Sequence, residues 1–254
     1  MKVTPIKTRL VRPPEDKIWD ILDEVAQQLS EERSVVCISS KIAAMHEGHT
    51  VPAKEDVLAH KDELAKEEAD AYIERGDSGN NIMFTQIFGA IMPSAGIDAS
   101  NADSHLILLP RDPMQTAFEM RKYLIEKSGL HQLAVLLVDS ETVPLRWGAI
   151  GYSVGWCGME PHYDYRGQKD LFDQTLKVSR SNDVDGLAAA AVFAMGEASE
   201  QTPVALIEGI PDRIHFTQPE APESPKRHFV SPKMDIYRPM LNAFNWIRRG
   251  QDKK

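Results

Sequence analysis

Apolar residues recur along this chain with two different periods, and the switches between them outline its elements. Ile18, Trp19, Ile21, Leu22, Val25 and Leu29 fall on one helical stripe, opened by Pro13-Pro14-Glu15-Asp16. Ser34-Val35-Val36-Cys37-Ile38 is a continuous run of strand length that ends at Ser39-Ser40-Lys41. From Lys54 to Arg75 charges dominate, which predicts a solvated helix laced with i,i+4 pairs. Two strand-like runs, Phe84 to Met92 and Leu106 to Leu109, flank a turn of small residues. Asp112-Pro113 starts a helix over 114–126, with proline where a missing N–H costs little. Leu133 to Val138 reads as a buried strand and Gly148 to Gly155 as a glycine-interrupted one. Asp183 to Met195 is an alanine-rich helix suited to close packing, and Pro203 to Glu208 a further strand. This irregular alternation predicts an α+β (mixed α/β) fold rather than a doubly wound sheet.

Residues 211–235 break the pattern. Pro211, Pro219, Pro222, Pro225 and Pro232 lie among charges, which predicts a loop or flap. The tail 236–254 resumes with Ile236, Tyr237, Met240, Leu241, Phe244, Trp246 and Ile247, a pattern for a docking helix. Residues 1–210 thus precede that loop, and no internal repeat is present. The chain has 254 residues, 42% of them hydrophobic, enough for a substantial core. A net charge of −9 argues against a nucleic-acid partner, which would need basic surface. Divalent metals can still bring phosphorylated substrates to an acidic protein. Cys37 and Cys157 show no ligand spacing, the start lacks an apolar signal core, and no run approaches membrane-spanning length. The expectation is a cytoplasmic protein with no membrane partner.

Three segments carry candidate chemistry. In Ser94-Ala95-Gly96-Ile97-Asp98-Ala99-Ser100-Asn101, glycine allows close backbone approach. Asp98 supplies a hard oxygen ligand there, and Asn101 both donates and accepts hydrogen bonds. The same letters also describe a turn capped by its own side chains. Asp139-Ser140 closes the 133–138 strand, where a carboxylate beside a hydroxyl suits Mg²⁺ on phosphate, or simply a turn. Glu197 follows Met195-Gly196 at a helix C-terminus, a poor place for a bare carboxylate unless a cation joins it; a solvated loop residue is the alternative.

Taken with Leu109-Pro110-Arg111-Asp112-Pro113, Arg166-Gly167-Gln168-Lys169-Asp170-Leu171-Phe172 and Met195-Gly196-Glu197 before Pro203, these segments resemble the coenzyme F420-0:L-glutamate ligase family. The resemblance covers most of residues 3–210. It implies a γ-glutamyl ligase of mixed α/β structure, an intertwined homodimer with a nucleotide groove near the dimer interface. It implies two Mg²⁺ or Mn²⁺ sites, one set on Asp98 and Asp139 and a second involving Ser140 and Glu197. GTP or ATP is the implied cosubstrate, with K⁺ as a further cation. The implied nucleotide contacts are Arg9, Leu10, Val11, Arg12, Ser40, Lys41, Asn101, Met195, Gly196, Ala198 and Ser199. The implied substrates are L-glutamate and an F420-0-like carboxylate, with folate as an alternative acceptor because its tail also ends in glutamate. A non-catalytic nucleotide-binding relative is the reading from another class.

Some positions depart from the family. Met45 stands where a phosphate-binding lysine is expected, a loss of roughly ten- to hundred-fold in affinity unless another cation substitutes. Lys41, His46 and Arg9 are candidates for that role. Thr142-Val143 replaces Gly-Arg, Arg9 to Arg12 is more basic than usual, and Ser94 replaces Asn. These changes spare the metal carboxylates and fall on nucleotide and acceptor contacts, which predicts retained chemistry with altered specificity. Trp147, Trp156 and Tyr163 are either core or a stacking surface for an aromatic acceptor. His162 and Asp170 lie near the expected substrate loop, and Cys157 has no partner that would make it a nucleophile.

Overall fold

The computed structural model describes residues 1–76 and 81–250. Its strands are β1 (Lys2–Ile6), β2 (Ser34–Ser39), β3 (Thr50–Pro52), β4 (Ala71–Ile73), β5 (Phe84–Ile87), β6 (Ala90–Pro93) and β7 (His105–Ile107). They continue as β8 (Leu133–Thr142), β9 (Ala149–Cys157), β10 (His162–Asp164), β11 (Arg180–Asn182), β12 (Val204–Glu208) and β13 (Ile247–Arg248). The helices are α1 (Trp19–Gln28), α2 (Ser40–Glu47), α3 (Val57–Glu68), α4 (Pro113–Ser128), α5 (Asp183–Met195) and α6 (Arg238–Leu241). The chain divides into two compact units. The first comprises Met1–Leu10, Ile18–Ala43 and Asp112–Ser224, the second Val11–Lys17, Ala44–Arg111 and Pro225–Lys254.

The first unit is built on a five-stranded sheet of order β1-β12-β2-β8-β9. Only β2 and β8 run parallel, with Val35 opposite Ala134 and Cys37 opposite Leu136; every other pair is antiparallel. A mixed sheet matches the expected fold class. Val35, Val36, Cys37 and Ile38, like 133–138, are buried on alternate sides, which requires cover on both faces. One face packs Val35, Cys37, Leu136 and Trp156 against Val184, Leu187, Ala188 and Ala191 of α5. The alanines let the helix approach closely: a Cβ on Gly151 would lie 2.6 Å from the Ala188 carbonyl oxygen. On β9, Gly155 leaves the same room for α4, its hypothetical Cβ only 2.6 Å from the Pro113 carbonyl oxygen. Both helices start at side-chain caps, Asp112 accepting from the Gln115 N–H at 3.0 Å and Asn182 from the Asp185 N–H at 3.2 Å.

The second unit holds the antiparallel sheet β13-β4-β5-β6 and the pair β3-β7. Here the expected single helix over 54–75 is corrected. Asp56 caps α3 by accepting from the Ala59 N–H at 3.0 Å, the helix ends at Glu68, and Ala71–Ile73 joins the sheet as β4. Its ion pairs are not the expected i,i+4 ladder: Lys54 meets Glu63 at 2.5 Å and Lys66 meets Glu74 at 2.8 Å. The run 84–92 is likewise two strands, β5 and β6, turned back at Phe88-Gly89, where φ is +49° and +74°. The tail forms one helical turn, α6, then β13 beside β4, with Met240 and Phe244 exposed; it is not the long docking helix expected.

In the first unit the proline-rich stretch is fixed up to residue 224. Buried Glu223 accepts from Trp156 Nε1 (3.2 Å), the Gly158 N–H (3.2 Å) and Thr217 Oγ1 (3.1 Å). Trp156 is therefore core, with zero exposure, whereas Trp147 is fully exposed. Among the described residues no helix is long and apolar enough to cross a membrane.

Candidate functional site

Four segments singled out in the sequence meet in the first unit. Ser40, at the start of α2, donates from Oγ to Asp139 Oδ2 at 2.5 Å, while the Ser140 N–H donates to Asp139 Oδ1 at 2.7 Å. Ser140 Oγ donates to Glu197 Oε2 at 3.0 Å. The loop carrying Glu197 is tied to the N-terminal segment: the Thr8 N–H donates to the Gln201 carbonyl at 3.2 Å, and Gln201 Nε2 donates to the Thr8 carbonyl at 2.7 Å. Arg9 and Leu10 follow directly in sequence. The Ser39 N–H donates to the Pro203 carbonyl at 2.9 Å, so the start of α2 and the end of the 195–202 loop are also joined.

The loop's shape has local causes. Gly196 ends α5 at φ +81°, and a Cβ there would fall 2.4 Å from the Glu200 carboxyl carbon. Glu200 instead turns back to accept from the Ala198 N–H at 2.8 Å, and Thr202 Oγ1 donates to the Met195 carbonyl at 2.6 Å. Glu197, Ala198 and Ser199 are exposed, whereas the Met195 side chain is buried against the sheet and presents none of itself to a ligand. Arg9 is already engaged, its guanidinium on Asp20 at 2.5 and 2.9 Å.

A group that the sequence reading passed over lies beside Asp139. Glu141 is on the same strand two residues on, hence on the same face. Its Oε2 is inaccessible to solvent and without a hydrogen-bond partner among the described residues. Burial, then the charges of Asp185 and Asp139, raise the Glu141 carboxyl from its ordinary 4.5 to about 7. The same three carboxylates and deep burial hold the Tyr152 hydroxyl well above its usual value, burial being the larger cause. Asp185 accepts from the Ser153 N–H at 2.9 Å and from Asn182 Nδ2 at 2.5 Å. This corner of the unit is therefore strongly acidic.

An orphaned carboxylate oxygen within an acidic field is what a bound cation would relieve. Among the described residues no three His, Cys, Asp or Glu side chains form a complete metal-ligand set. Mg²⁺ does not need one, because it binds through one or two carboxylates and takes its remaining oxygens from phosphate and water. Asp139, Ser140 and Glu197 fit that kind of site.

In the second unit, Asp98 sits after the 3-10 turn Ser94–Gly96. Ser94, Ala95 and Gly96 all have left-handed backbone, with φ of +48°, +54° and +69°. Two non-glycine residues there cost on the order of 1–3 kcal/mol each. Buried hydrogen bonds hold them: the Ser94 N–H donates to the Met83 carbonyl (2.9 Å) and the Ala95 N–H to Thr85 Oγ1 (2.8 Å). Asp98 and Ile107 exchange backbone hydrogen bonds at 2.9 and 2.8 Å, which aligns the carboxylate. The turn-capping alternative is realised too, since Asp98 accepts from the Ser100 N–H (2.7 Å) and Ser100 Oγ (2.8 Å). Asn101 is left-handed at φ +50°. Val11 is buried; the Arg12 N–H donates to Asp16 Oδ2 at 3.0 Å, and its guanidinium lies 3.9 Å from Asp103. Met45 is 2% exposed and so serves packing.

Among the other candidates, Tyr163 is half-buried, edge-on to Tyr165 at 4.7 Å and stacked on His215 at 5.9 Å. Asp170 caps its own loop by accepting from the Phe172 and Gln174 N–H groups, both at 2.8 Å. Cys157 is buried, which pushes its thiol up to about 12, a value unsuited to a nucleophile.

Comparison with known proteins adds a family. A family model described as F420-0:Gamma-glutamyl ligase matches residues 5–209. A protein named Coenzyme F420:L-glutamate ligase from Methanopyrus kandleri is 29% identical over 253 residues, covering 94% of this chain and 98% of that protein. The protein of the same name from Methanocaldococcus jannaschii is 30% identical over 197 residues, 73% of this chain and 79% of that one. The Methanothermobacter thermautotrophicus protein of that name is 41% identical over 124 residues, so the matched segment spans about half of either chain, 48% and 49%.

Proposed function

The chain belongs to the F420-0:gamma-glutamyl ligase family, and on that premise we propose that it joins L-glutamate to the carboxylate of an F420-0-like acceptor, using a nucleoside triphosphate and divalent cations. One observation carries this reading. Ser40, Asp139, Ser140 and Glu197, from three separate segments, are linked by side-chain hydrogen bonds and sequence adjacency in one acidic corner.

The reaction sets the requirements. A free carboxylate has no leaving group, so the acceptor must first take the terminal phosphoryl group of GTP or ATP to become an acyl phosphate. The glutamate α-amine then attacks the acyl carbon and phosphate departs. Bound Mg²⁺ or Mn²⁺ would stabilise the charge that moves during phosphoryl transfer. Asp139, Ser140 and Glu197 would hold a cation in the first unit, and Asp98 would be a cation ligand within the second. Ser40 fixes the Asp139 rotamer, so the carboxylate is oriented before the nucleotide arrives. Arg9 to Arg12, Ser40, Lys41, Asn101 and Gly196 to Ser199 would contact the nucleotide, and K⁺ is a further candidate cation. Leu145, Trp147 and Phe193, large apolar side chains left exposed in the first unit, support a homodimer that covers them.

The test is phosphate release with GTP or ATP and Mg²⁺ or Mn²⁺. The ligase reading expects release only when L-glutamate and an acceptor, F420-0 or reduced folate, are both present; whichever acceptor works names the substrate. Nucleotide binding without turnover, unchanged by Asp98→Asn, would instead point to a non-catalytic relative.

A further inference from the structure

We propose that Lys61 is the phosphate-binding cation of the second unit and stands in for the lysine that Met45 displaces; this rests on the ligase reading above. Lys61 lies in α3, one turn before buried Ala65 and next to buried His60, on the side of the helix that packs. That helix packs against the Ser94–Gly96 turn leading into Asp98. The Lys61 residue is half-buried, yet among the described residues its ammonium has no hydrogen bond or ion pair within 4 Å.

The charges around it have other commitments. Asp62, its neighbour in sequence, is clamped by both Arg75 Nε and Nη2 and gives the Lys61 ammonium only a minor favourable influence. Burial lowers the Lys61 ammonium below its ordinary value, the Asp98 charge raises it as the larger of the opposing influences, and Arg75 lowers it again. Keeping an unpaired ammonium half-buried is costly unless an anion joins it in the working state. A phosphate oxygen of the nucleotide would supply that anion. A lysine is a compact point charge suited to that contact. Of the other candidates, the Arg9 guanidinium is held by Asp20 and His46 is buried.

The experiment measures equilibrium binding of GTP, ATP and the corresponding nucleosides, with Mg²⁺, to wild type, Lys61→Met and Lys61→Arg. Lys61→Met should weaken the triphosphate by roughly ten- to hundred-fold and leave the nucleoside within about twofold, while Lys61→Arg stays within a few fold of wild type. A triphosphate affinity unchanged in Lys61→Met, or an equal loss for nucleoside and triphosphate, overturns the proposal and leaves the ligase reading intact. Failure of the wild type to bind either triphosphate overturns both.

Discussion

Ser140 Oγ lies 3.0 Å from Glu197 Oε2, so a hydroxyl among the last paired residues of β8 holds a carboxylate on the loop after α5. The two are 57 positions apart in sequence and reach each other only because α5 packs across β8 and β9. An exposed pair of this kind adds little to stability. Its value on this account is the alignment of oxygen ligands.

Replacing Ser140 with alanine should therefore leave the melting temperature within a few degrees of wild type. The Mg²⁺ or Mn²⁺ concentration for half-maximal turnover should rise by roughly tenfold, the usual scale for losing a ligand or its support. A metal titration of the activity checks this, and an unchanged midpoint would remove Ser140 from the cation site.

The raised Glu141 carboxyl makes stability depend on pH in a defined direction. Its folded value, about 7, exceeds the ordinary 4.5, so the folded state favours the neutral acid. That contribution is fully present below pH 4.5 and is lost as pH rises through 7. Glu141→Gln, which stays neutral, should match wild type at pH 4 and be more stable at pH 8 without metal. The gap is at most about 3 kcal/mol, trimmed by the solvent that still reaches one side of the residue. Urea denaturation at the two pH values measures it, and Mg²⁺ should narrow the gap at pH 8.

Glu223 offers a purely structural test. Alanine there strands the Trp156, Gly158 and Thr217 donors in a buried site. The expected loss is about 2–4 kcal/mol, read as a lower urea midpoint. Protease cleavage within 211–224 should accelerate in parallel.

At Gly155 the question is space. An added Cβ would meet the Pro113 carbonyl oxygen at 2.6 Å and its carbonyl carbon at 2.7 Å, both backbone atoms that cannot swing aside. Gly155→Ala should cost about 1–3 kcal/mol by forcing α4 away from β9. Calorimetry would show the drop; a melting temperature equal to wild type would mean the helix yields freely.

Much of the first unit was legible because its elements are long and its apolar runs unmixed. The buried strands β2 and β12 and the helix α5 follow directly from such runs, and Glu197 stood out by its place after a helix; Asp139 and Ser140, expected to close a 133–138 strand, instead lie within β8, which stays paired with β9 as far as Thr142. The second unit hid its short elements. Ala71–Ile73 is wholly buried, but Glu67, Glu68, Asp70, Glu74 and Arg75 around it gave the segment a helical, solvated look. The β5–β6 turn at Phe88-Gly89 was invisible because phenylalanine rarely takes a left-handed backbone. In the tail the apolar spacing of 236–247 suggested a helix, yet the chain keeps one turn and then adds a strand to β4. Glu141 could have been found by asking which carboxylate shares a strand face with Asp139. Lys61 could not, because one lysine in a charged helix looks like any other until burial and the turn beside it are known.

The account stands or falls on glutamyl transfer dependent on the acidic corner. Mass spectrometry of F420-0 and reduced folate after incubation with enzyme, L-glutamate, Mg²⁺ and GTP or ATP tests it most directly. The prediction is one added glutamyl unit on one acceptor with wild type, and none with Asp139→Asn of unchanged melting temperature. An acceptor mass that never increases, or one that increases equally with Asp139→Asn, would contradict it.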